Sequence, residues 1–392
     1  MKKNILLFSI IFLLHNVCNY AIAQEENTVF YQPVIQLEYM TGKVDNPVPV
    51  ENLNNSQYGK ISVLNTTGLQ ENSYFKNYKD PYVGISFLAG YLGKKDVFGS
   101  VIGVYPQWNY HFLDNNAISW DINLGTGFAF FSTPYDKITN PENELIGSYV
   151  SNITDVSTNL VFRFNKKFHI KTGVGLIHVS NGHTKIPNVG LDDFTVRLGM
   201  MYKPGKLVGL EMPKPKVFSQ DTLWRKNLSI HIGRHKLAYS RYPVDGPSYT
   251  IYGFSGYISR QLSLINEIQF GLKYLYYRSY HTLIDIDEMY DYFKFFRSSV
   301  ISLQVGHEFL LNHVGFVTDV GIKIYDPIYR DFFLKHDNTT SGWFKQYLTG
   351  KMGFEIYPYK NAFSGKKLSI GMFLKTNLFQ ADFVEYNMTY TF

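Results

Sequence analysis

The sequence predicts an all-β protein: a transmembrane antiparallel β-barrel of about 12–16 strands, with short periplasmic turns and longer external loops. Apolar and polar residues alternate over segments of about ten residues, the pattern of a strand with one apolar and one polar face. The chain of 392 residues contains 31 Tyr and 31 Phe and is 17% aromatic, and membrane-spanning barrels need aromatic girdles at both interfaces. Short connections also alternate with long ones along most of the chain, as they do in outer-membrane barrels.

The C-terminal segment shows the alternation most clearly. Large apolar side chains occupy every second position, and polar side chains lie between them; the apolar ones are Val384, Tyr386, Met388, Tyr390 and Phe392. The edge strand of a soluble sheet could show the same pattern. A chain that ends on an aromatic residue after such a strand, however, resembles the assembly signal of outer-membrane barrels. The segment therefore favours this class of fold over a soluble β-sandwich.

Fifteen segments have the strand pattern, and a sixteenth, 57–65, has it more weakly. The predicted strands lie near 34–44, 57–65, 82–91, 99–113, 117–132, 147–164, 167–180, 191–203, 226–240, 248–259, 262–280, 296–310, 313–325, 345–358, 367–378 and 382–392. The long connections between them are 133–146, 181–190, 281–294 and 326–343. Counting 57–65 as a strand gives an even total, which bacterial barrels usually have.

One connection, 204–225, breaks the alternation because it is long and yet falls on the periplasmic side. It contains Pro204, Pro213 and Pro215. It joins either the two halves of one wide barrel, or an eight-stranded barrel to a second region. We favour one barrel that spans residues 24–392.

The first 23 residues have the features of a secretory signal peptide. Met1-Lys2-Lys3 precedes an apolar run from Ile5 to Leu14, and Ala21-Ile22-Ala23 forms a small-x-small cleavage site. The only cysteine, Cys18, lies inside this segment. A lipidated cysteine is the less favoured alternative, because the residue before it is bulkier than such sites prefer. We expect a secreted outer-membrane protein whose mature part has no cysteine.

Composition argues against several classes of function. The formal net charge of +6 falls to +4 when Lys2 and Lys3 leave with the signal peptide, so we expect no nucleic-acid partner. The mature part has no run of eighteen apolar residues, so helical membrane spans are not expected. His231 and His235 are four residues apart in a strand pattern without an accompanying carboxylate, so we expect no metal site.

The segment 176–194 carries the residues best suited to catalysis. His178 and Ser180 are two residues apart at the end of a strand, so their side chains leave the same face, and an imidazole can act as the general base of a nearby hydroxyl. Asp192 and Asp193 begin the next strand, and a carboxylate beside His178 would complete a triad. The alternative is that this histidine and serine satisfy backbone groups or contact lipid headgroups.

The pattern of the two strands distinguishes the two aspartates. Even positions carry mostly apolar residues, from Val174 to Ser180 and from Asp192 to Met200, whereas odd positions include Arg197. We therefore expect the even face to contact lipid and the odd face to line the lumen. Asp192 then shares a face with His178 and Ser180, while Asp193 points into the lumen, where Arg197 could pair with it.

Several motifs of this chain resemble those of a known family. The segments are His178-Val179-Ser180-Asn181 with Pro187-Asn188 and Gly190, Asn140-Pro141 with Asn143 and Ile146-Gly147-Ser148, and Leu374-Lys375-Thr376 with Ala381-Asp382-Phe383. They are similar to motifs of the outer-membrane lipid A 3-O-deacylases (PagL-type), also called acyloxyacyl hydrolases. The resemblance covers about 115–203 and the last strands; residues 204–365 have no counterpart in the short members, and their role is unassigned.

The resemblance implies a serine esterase that removes an ester-linked acyl chain from lipid A. His178 would be the base, Ser180 the nucleophile and Asp192 the orienting acid, at a position where the family has a glutamate. We expect Asn181 to stabilise the oxyanion by side-chain or backbone donation. The chemistry needs no cofactor, and the expected partners are lipopolysaccharide and outer-membrane lipid, with a homodimer left open. The alternative function is a non-catalytic barrel, either a channel or a structural protein.

Overall fold

The computed structural model of the protein describes most of the chain after the N-terminal segment. The described residues are 28–31, 33–45, 50–66, 81–114, 117–205, 207–211, 223–237, 244, 246–263, 266–311, 314–336, 339–360, 365–378 and 380–392. The predicted signal peptide, 1–23 with Cys18, lies outside these residues.

Antiparallel strands dominate the described chain, and they confirm the predicted fold class. In chain order they are β1 (Thr28–Tyr31), β2 (Pro33–Asp45), β3 (Ser56–Thr66), β4 (Tyr82–Tyr91), β5 (Ser100–Asp114), β6 (Ile118–Phe131), β7 (Val150–Arg163), β8 (Phe168–Ser180), β9 (Leu191–Tyr202), β10 (Leu207–Glu211), β11 (Trp224–Lys236), β12 (Ser248–Ser263), β13 (Asn266–Tyr277), β14 (Ser299–Leu311), β15 (Val314–Tyr325), β16 (Leu348–Lys360), β17 (Lys367–Asn377) and β18 (Gln380–Thr391). The weak sixteenth segment, 57–65, is a full strand, β3.

The strands form two closed eight-stranded barrels, so the expectation of one wide barrel was wrong. The first barrel contains β2–β9 and the second barrel contains β11–β18. β9 pairs back with β2 over the registers Ile35↔Tyr202 to Asp45↔Asp192, which leaves no free edge on which a ninth strand could add. β18 closes the second barrel in the same way against β11. Eight strands suffice to close a barrel around side chains.

The connection between the barrels accounts for the irregular segment 204–225. Within its described part, β10 pairs with β1 in a two-stranded antiparallel ribbon outside both barrels. The segment 204–225 is long because it links two closed barrels and does not turn between neighbouring strands of one sheet.

The exposure of side chains is inverted relative to a soluble protein. On β9, Phe194, Val196 and Leu198 are 60%, 61% and 60% exposed, whereas the lumenal Asp193 and Arg197 are buried. This arrangement repeats along both barrels: the outer faces are apolar, and the lumens hold buried polar side chains together with an apolar cluster in each barrel. Only a surrounding lipid phase makes it favourable, and the closed ladders leave no unpaired edge in that phase.

Charged side chains fill the lumen of the first barrel. Lys60 Nζ lies 3.1 Å from Glu38 Oε1 and 3.0 Å from Asp155 Oδ2. Lys171 Nζ contacts the same Glu38 oxygen at 3.1 Å, and Arg197 contacts Asp155 at 2.6 Å. The network offsets the cost of burying these charges and occupies the space that a channel would need.

The second barrel has an interior of the same kind. Three buried ion pairs lie along its lumen: Lys273–Glu385 (2.6 Å), Lys351–Asp319 (3.0 Å) and Lys367–Glu267 (2.9 Å). At the end from which the longer connections leave, an apolar cluster that includes Tyr280, Ile284 and Phe383 packs beneath those connections.

The long connections contain short helices that the strand and turn pattern did not predict. They are Lys95–Phe98, Arg278–Ile286, Lys294–Arg297, the π-helix Tyr329–Phe333, Leu334–His336 and Thr340–Tyr347. Packing explains the helix Arg278–Ile286, since its Tyr280 and Ile284 are buried in the apolar cluster of the second barrel. Among the described helices, none has the length and apolar character needed to cross a membrane.

Candidate active site

Neighbouring strands of the first barrel bring the predicted site residues to one place. His178 and Ser180 lie at the end of β8, and Asp192 is the second residue of β9. In the β8–β9 register, His178 is the direct Cα partner of Asp192. The three positions share the outward face, and the hairpin connection 181–190, here named the site loop, lies beside them.

His178 and Asp192 form the first pair of the site. Asp192 Oδ1 lies 2.7 Å from His178 Nδ1, and the two side chains are 40% and 48% exposed. A carboxylate at Nδ1 favours the tautomer with its proton on that nitrogen, which leaves Nε2 as a hydrogen-bond acceptor. Nε2 is therefore the ring atom that can accept a proton from another group.

Ser180 and Asn188 form the second pair. Asn188 Nδ2 donates to Ser180 Oγ at 2.9 Å, and the Gly182 backbone N–H donates to the same oxygen at 3.2 Å. The Ser180 side chain is buried under the site loop. His178 and Ser180, both in the described part of the chain, share no hydrogen bond in this conformation, so the two pairs lie side by side without a direct link.

Asn181 braces the site loop. Its backbone N–H donates to Asn188 Oδ1 at 3.0 Å, and its Nδ2 donates to the Lys185 carbonyl at 2.8 Å. Thr184 Oγ1 donates to the Asn181 carbonyl at 2.9 Å. Asn181 was predicted to donate to an oxyanion through its side chain or its backbone, but both groups hold the loop, whereas Asn188 and Gly182 donate to Ser180 Oγ.

Sequence reasoning assigned no role to Asn188, although Pro187-Asn188 was part of the family-like motif. Asn188 follows Ser180 by eight residues, and only the fold of the site loop returns its amide to the serine. The motif was the only available signal, because spacing alone does not predict a contact across a loop of this length.

The second family-like motif supports the site loop from the neighbouring connection. Val189 N donates to the Glu144 carbonyl, and Gly190 N donates to the Leu145 carbonyl, each at 3.3 Å. A Cβ atom on Gly147 would lie 2.1 Å from the Pro187 carbonyl oxygen, so the chains approach each other closely there. The segment 140–148 therefore acts on the site indirectly, by fixing the shape of the site loop.

Asp193 lies in the lumen, away from His178. The Tyr58 hydroxyl donates to Asp193 Oδ2 at 2.5 Å. Arg197, which was considered as its partner, makes its ion pair with Asp155 instead. The two consecutive aspartates therefore occupy different environments, as the alternation of the strand requires.

A second serine–histidine–carboxylate set lies inside the second barrel, and sequence reasoning missed it. His231 Nε2 lies 2.8 Å from Ser255 Oγ, and its Nδ1 lies 3.0 Å from Glu385 Oε1. Lys273 Nζ also contacts both oxygens of Glu385, at 2.7 and 2.6 Å. The four side chains are buried in the lumen. His231 had been considered only as a metal ligand, and no group of three or more potential metal-binding side chains occurs among the described residues.

Comparison with known proteins agrees with the motifs. A family model described as lipid A 3-O-deacylase (PagL) matches residues 50–201, and one described as acyloxyacyl hydrolase, C-terminal domain, matches residues 224–392. The first match begins after β2 and covers the rest of the first barrel nearly to the end of β9, whereas the second covers the whole second barrel and most of the segment that had no assigned counterpart. No curated protein matches the chain significantly.

Two solved structures are similar to part of the chain. The crystal structure of Neisserial surface protein A (NspA) is 11% identical, with a TM-score of 0.32, and the match covers 44% of this chain and 96% of that one. The crystal structure of the outer membrane enzyme PagL is 16% identical, with a TM-score of 0.28, and the match covers 42% of this chain and 97% of that one. The family matches together span most of the sequence, and the chain belongs to the PagL lipid A 3-O-deacylase family of outer-membrane ester hydrolases.

Proposed function

We propose that the protein removes an ester-linked acyl chain from lipid A with Ser180 as nucleophile, His178 as base and Asp192 as the residue that orients the base. The observation that carries the proposal is the His178–Asp192 hydrogen bond beside a buried serine on the lipid-facing side of the barrel. Ionisable groups on such a face are costly and usually have a function.

The reaction begins when His178 Nε2 takes the hydroxyl proton of Ser180, after a side-chain rotation that brings the two groups together. Ser180 Oγ then bonds to the ester carbonyl carbon, and the carbonyl electrons move to its oxygen. When the intermediate collapses, the bond to the sugar oxygen breaks and His178 returns the proton to that oxygen. Water then attacks the acyl carbon while His178 takes its proton; the bond to Ser180 Oγ breaks, the fatty acid leaves, and His178 returns the proton to Oγ.

Two donors beside Ser180 suit the stabilisation of the oxyanion. Asn188 Nδ2 and the Gly182 N–H both point at Ser180 Oγ. A small rearrangement on acylation would direct them to the ester oxygen, which becomes negatively charged next to the serine. Asn181 contributes indirectly in this scheme, because its N–H holds the Asn188 side chain through Oδ1.

The two alternatives are less consistent with the geometry. A channel is disfavoured because paired charges occupy both lumens at the described positions. Catalysis by Ser255 and His231 is disfavoured because they lie inside a closed barrel, where a lipid in the membrane does not reach them. In addition, Glu385 is ion-paired with Lys273, so this carboxylate is less able to stabilise a protonated His231.

The test is mass spectrometry of lipid A from cells that express the wild type, Ser180→Ala or Ser255→Ala. We expect Ser180→Ala to leave lipid A fully acylated while the protein still assembles in the outer membrane. Ser255→Ala is the matched control, since it removes the same hydroxyl from the other serine–histidine set, and it should deacylate normally. Normal deacylation by Ser180→Ala would overturn the assignment of the nucleophile.

A further inference from the structure

The loop that follows the nucleophile contacts the outer face of the second barrel. Gly182 has a φ of 60°. A Cβ atom built on it would lie 2.7 Å from Val384 Cγ2 and 3.3 Å from Leu374 Cδ1. Leu374 belongs to β17 and Val384 to β18, so the second barrel approaches to within two residues of Ser180.

This contact covers only one end of the outer face of the β17–β18 hairpin. Val384 is half-buried, whereas Tyr386 and Met388, the next residues on the same face of β18, are 51% and 46% exposed. On β17, Leu374 is half-buried and Met372 is 44% exposed. The outer face is therefore open to lipid away from the site loop, and Leu374 and Val384, at the edge of the contact, are only partly covered by it.

The two barrels also touch at a second point. Trp108 of β5 stacks on Phe354 of β16, with ring centroids 6.0 Å apart and an interplanar angle of 13°. Phe354 is the register partner of Met372, two residues along β17 from Leu374. The outer faces of the barrels therefore touch both at the site loop and at Trp108, and we name this surface, defined by Trp108, Phe354, Leu374 and Val384, the barrel seam.

We infer that the second barrel forms one wall of the substrate site, on which the acyl chain lies against Leu374 and Val384 while its carbonyl group is at Ser180. This inference rests on the proposed function. When the ester carbonyl lies at Ser180, the acyl chain extends from it along the outer face of the barrel. The barrel seam provides apolar surface there. Leu374 and Val384 are then specificity-determining residues that are supplied by a different barrel from the catalytic groups.

The wall acts by shape more than by the hydrophobic effect. A lipid acyl chain is already in an apolar phase, so transferring it to another apolar surface gains little from exclusion of water. Close packing is therefore what distinguishes one acyl chain from another. A side chain that projects into the seam would exclude long acyl chains before short ones. We therefore expect substitutions in the seam to change which acyl-chain length the enzyme prefers.

The test compares Leu374→Trp with the wild type on lipid A analogues whose ester-linked chains differ in length, in detergent micelles. We expect kcat/KM for the long-chain ester to fall by at least about tenfold relative to the short-chain ester, because steric discrimination in apolar pockets typically has this size. Val384→Ala, which enlarges the seam, should shift the preference toward longer or branched chains. Met388→Trp is the matched control on the exposed part of the same hairpin and should leave the chain-length profile unchanged.

An equal fall for all chain lengths would overturn the inference, because it would mean that the second barrel only supports the site loop. An unchanged profile in both variants would also overturn it. Gel mobility before and after heating establishes that each variant is folded, and Val384→Ala provides the measurement if the tryptophan variant does not assemble.

Photo-cross-linking separates this inference from the proposed function. The probe is lipid A with a diazirine at the end of its ester-linked chain, bound to Ser180→Ala protein in lipid vesicles and competed with unlabelled lipid A. We expect competable labelling of the segment 367–384. Labelling confined to the first barrel, with a normally active wild type, would refute the wall and leave the catalytic assignment intact.

Discussion

His178 and Asp192 are direct cross-strand partners, and a 2.7 Å hydrogen bond joins their side chains on the outer face of the first barrel. The next residue, Asp193, points into the lumen and accepts a hydrogen bond from Tyr58. Two consecutive carboxylates thus lie on opposite sides of one strand, which makes each a control for the other.

Asp192→Asn should lower kcat by roughly 10³–10⁴-fold, because the amide no longer fixes the proton on Nδ1 or stabilises the imidazolium. Asp193→Asn should have little effect, since the amide oxygen can still accept from Tyr58. Asp192→Glu, which introduces the family's residue, should retain much of the activity. Deacylation rates with purified lipid A measure all three, and a damaging Asp193→Asn with a harmless Asp192→Asn would contradict the outward-face assignment.

Asn188→Asp should reduce kcat by about 10²–10³-fold with little change in KM, because it removes the donor next to Ser180 Oγ. The variant keeps an oxygen that accepts from the Asn181 N–H, so the site loop retains its brace. Single-turnover measurement of the acylation step tests this directly. A variant as fast as the wild type would mean that the Asn188 side chain has only a structural role.

Gly182→Ala should lower activity by more than an alanine at another position with a positive φ does. A Cβ at this position meets Val384 and Leu374, and the movement that relieves this contact shifts an N–H that donates to Ser180. Gly205→Ala is the control: Gly205 also has a positive φ, of 108°, but a Cβ there has nothing within 4 Å. We expect both to show a small loss of thermal stability and only Gly182→Ala to lose activity; equal kinetics would contradict the contact.

Arg197→Met should destabilise the first barrel, but by less than the roughly 3–5 kcal/mol typical of a buried charge that loses its only partner. Arg197 lies 2.6 Å from Asp155 in the lumen, where Lys60 remains as the other partner. The measurement is the temperature at which the folded band disappears on a gel of unboiled samples. Phe194→Met, on the exposed outer face of the same strand, is the control and should change this temperature little.

The alternation of the sequence predicted the strands well, because lipid outside and polar groups inside impose a period of two on each strand. It also placed Asp192 on the face of His178, since side chains alternate along β9. The number of barrels was not predictable in this way. Whether β9 pairs with β2 or with β11 depends on contacts distant in sequence, and all sixteen barrel strands have the same local pattern.

Other features depend on loop conformation and on packing between distant segments. Asn188 reaches Ser180 only through the fold of the site loop, and Leu374 reaches Gly182 only through the packing of one barrel on the other. The helix Arg278–Ile286 forms where Tyr280 and Ile284 are buried against the second barrel. None of these contacts produces a periodic signal in the sequence.

The outward position of His178 and Asp192 has a kinetic consequence. A substrate that shares the membrane with the enzyme arrives by lateral diffusion in two dimensions and does not have to enter a pocket from the aqueous phase. The rate of encounter is then set by the mole fraction of the substrate in the leaflet and by the fluidity of the surrounding lipid. Diluting the whole membrane in buffer leaves that rate unchanged, whereas diluting the substrate with inert lipid lowers it.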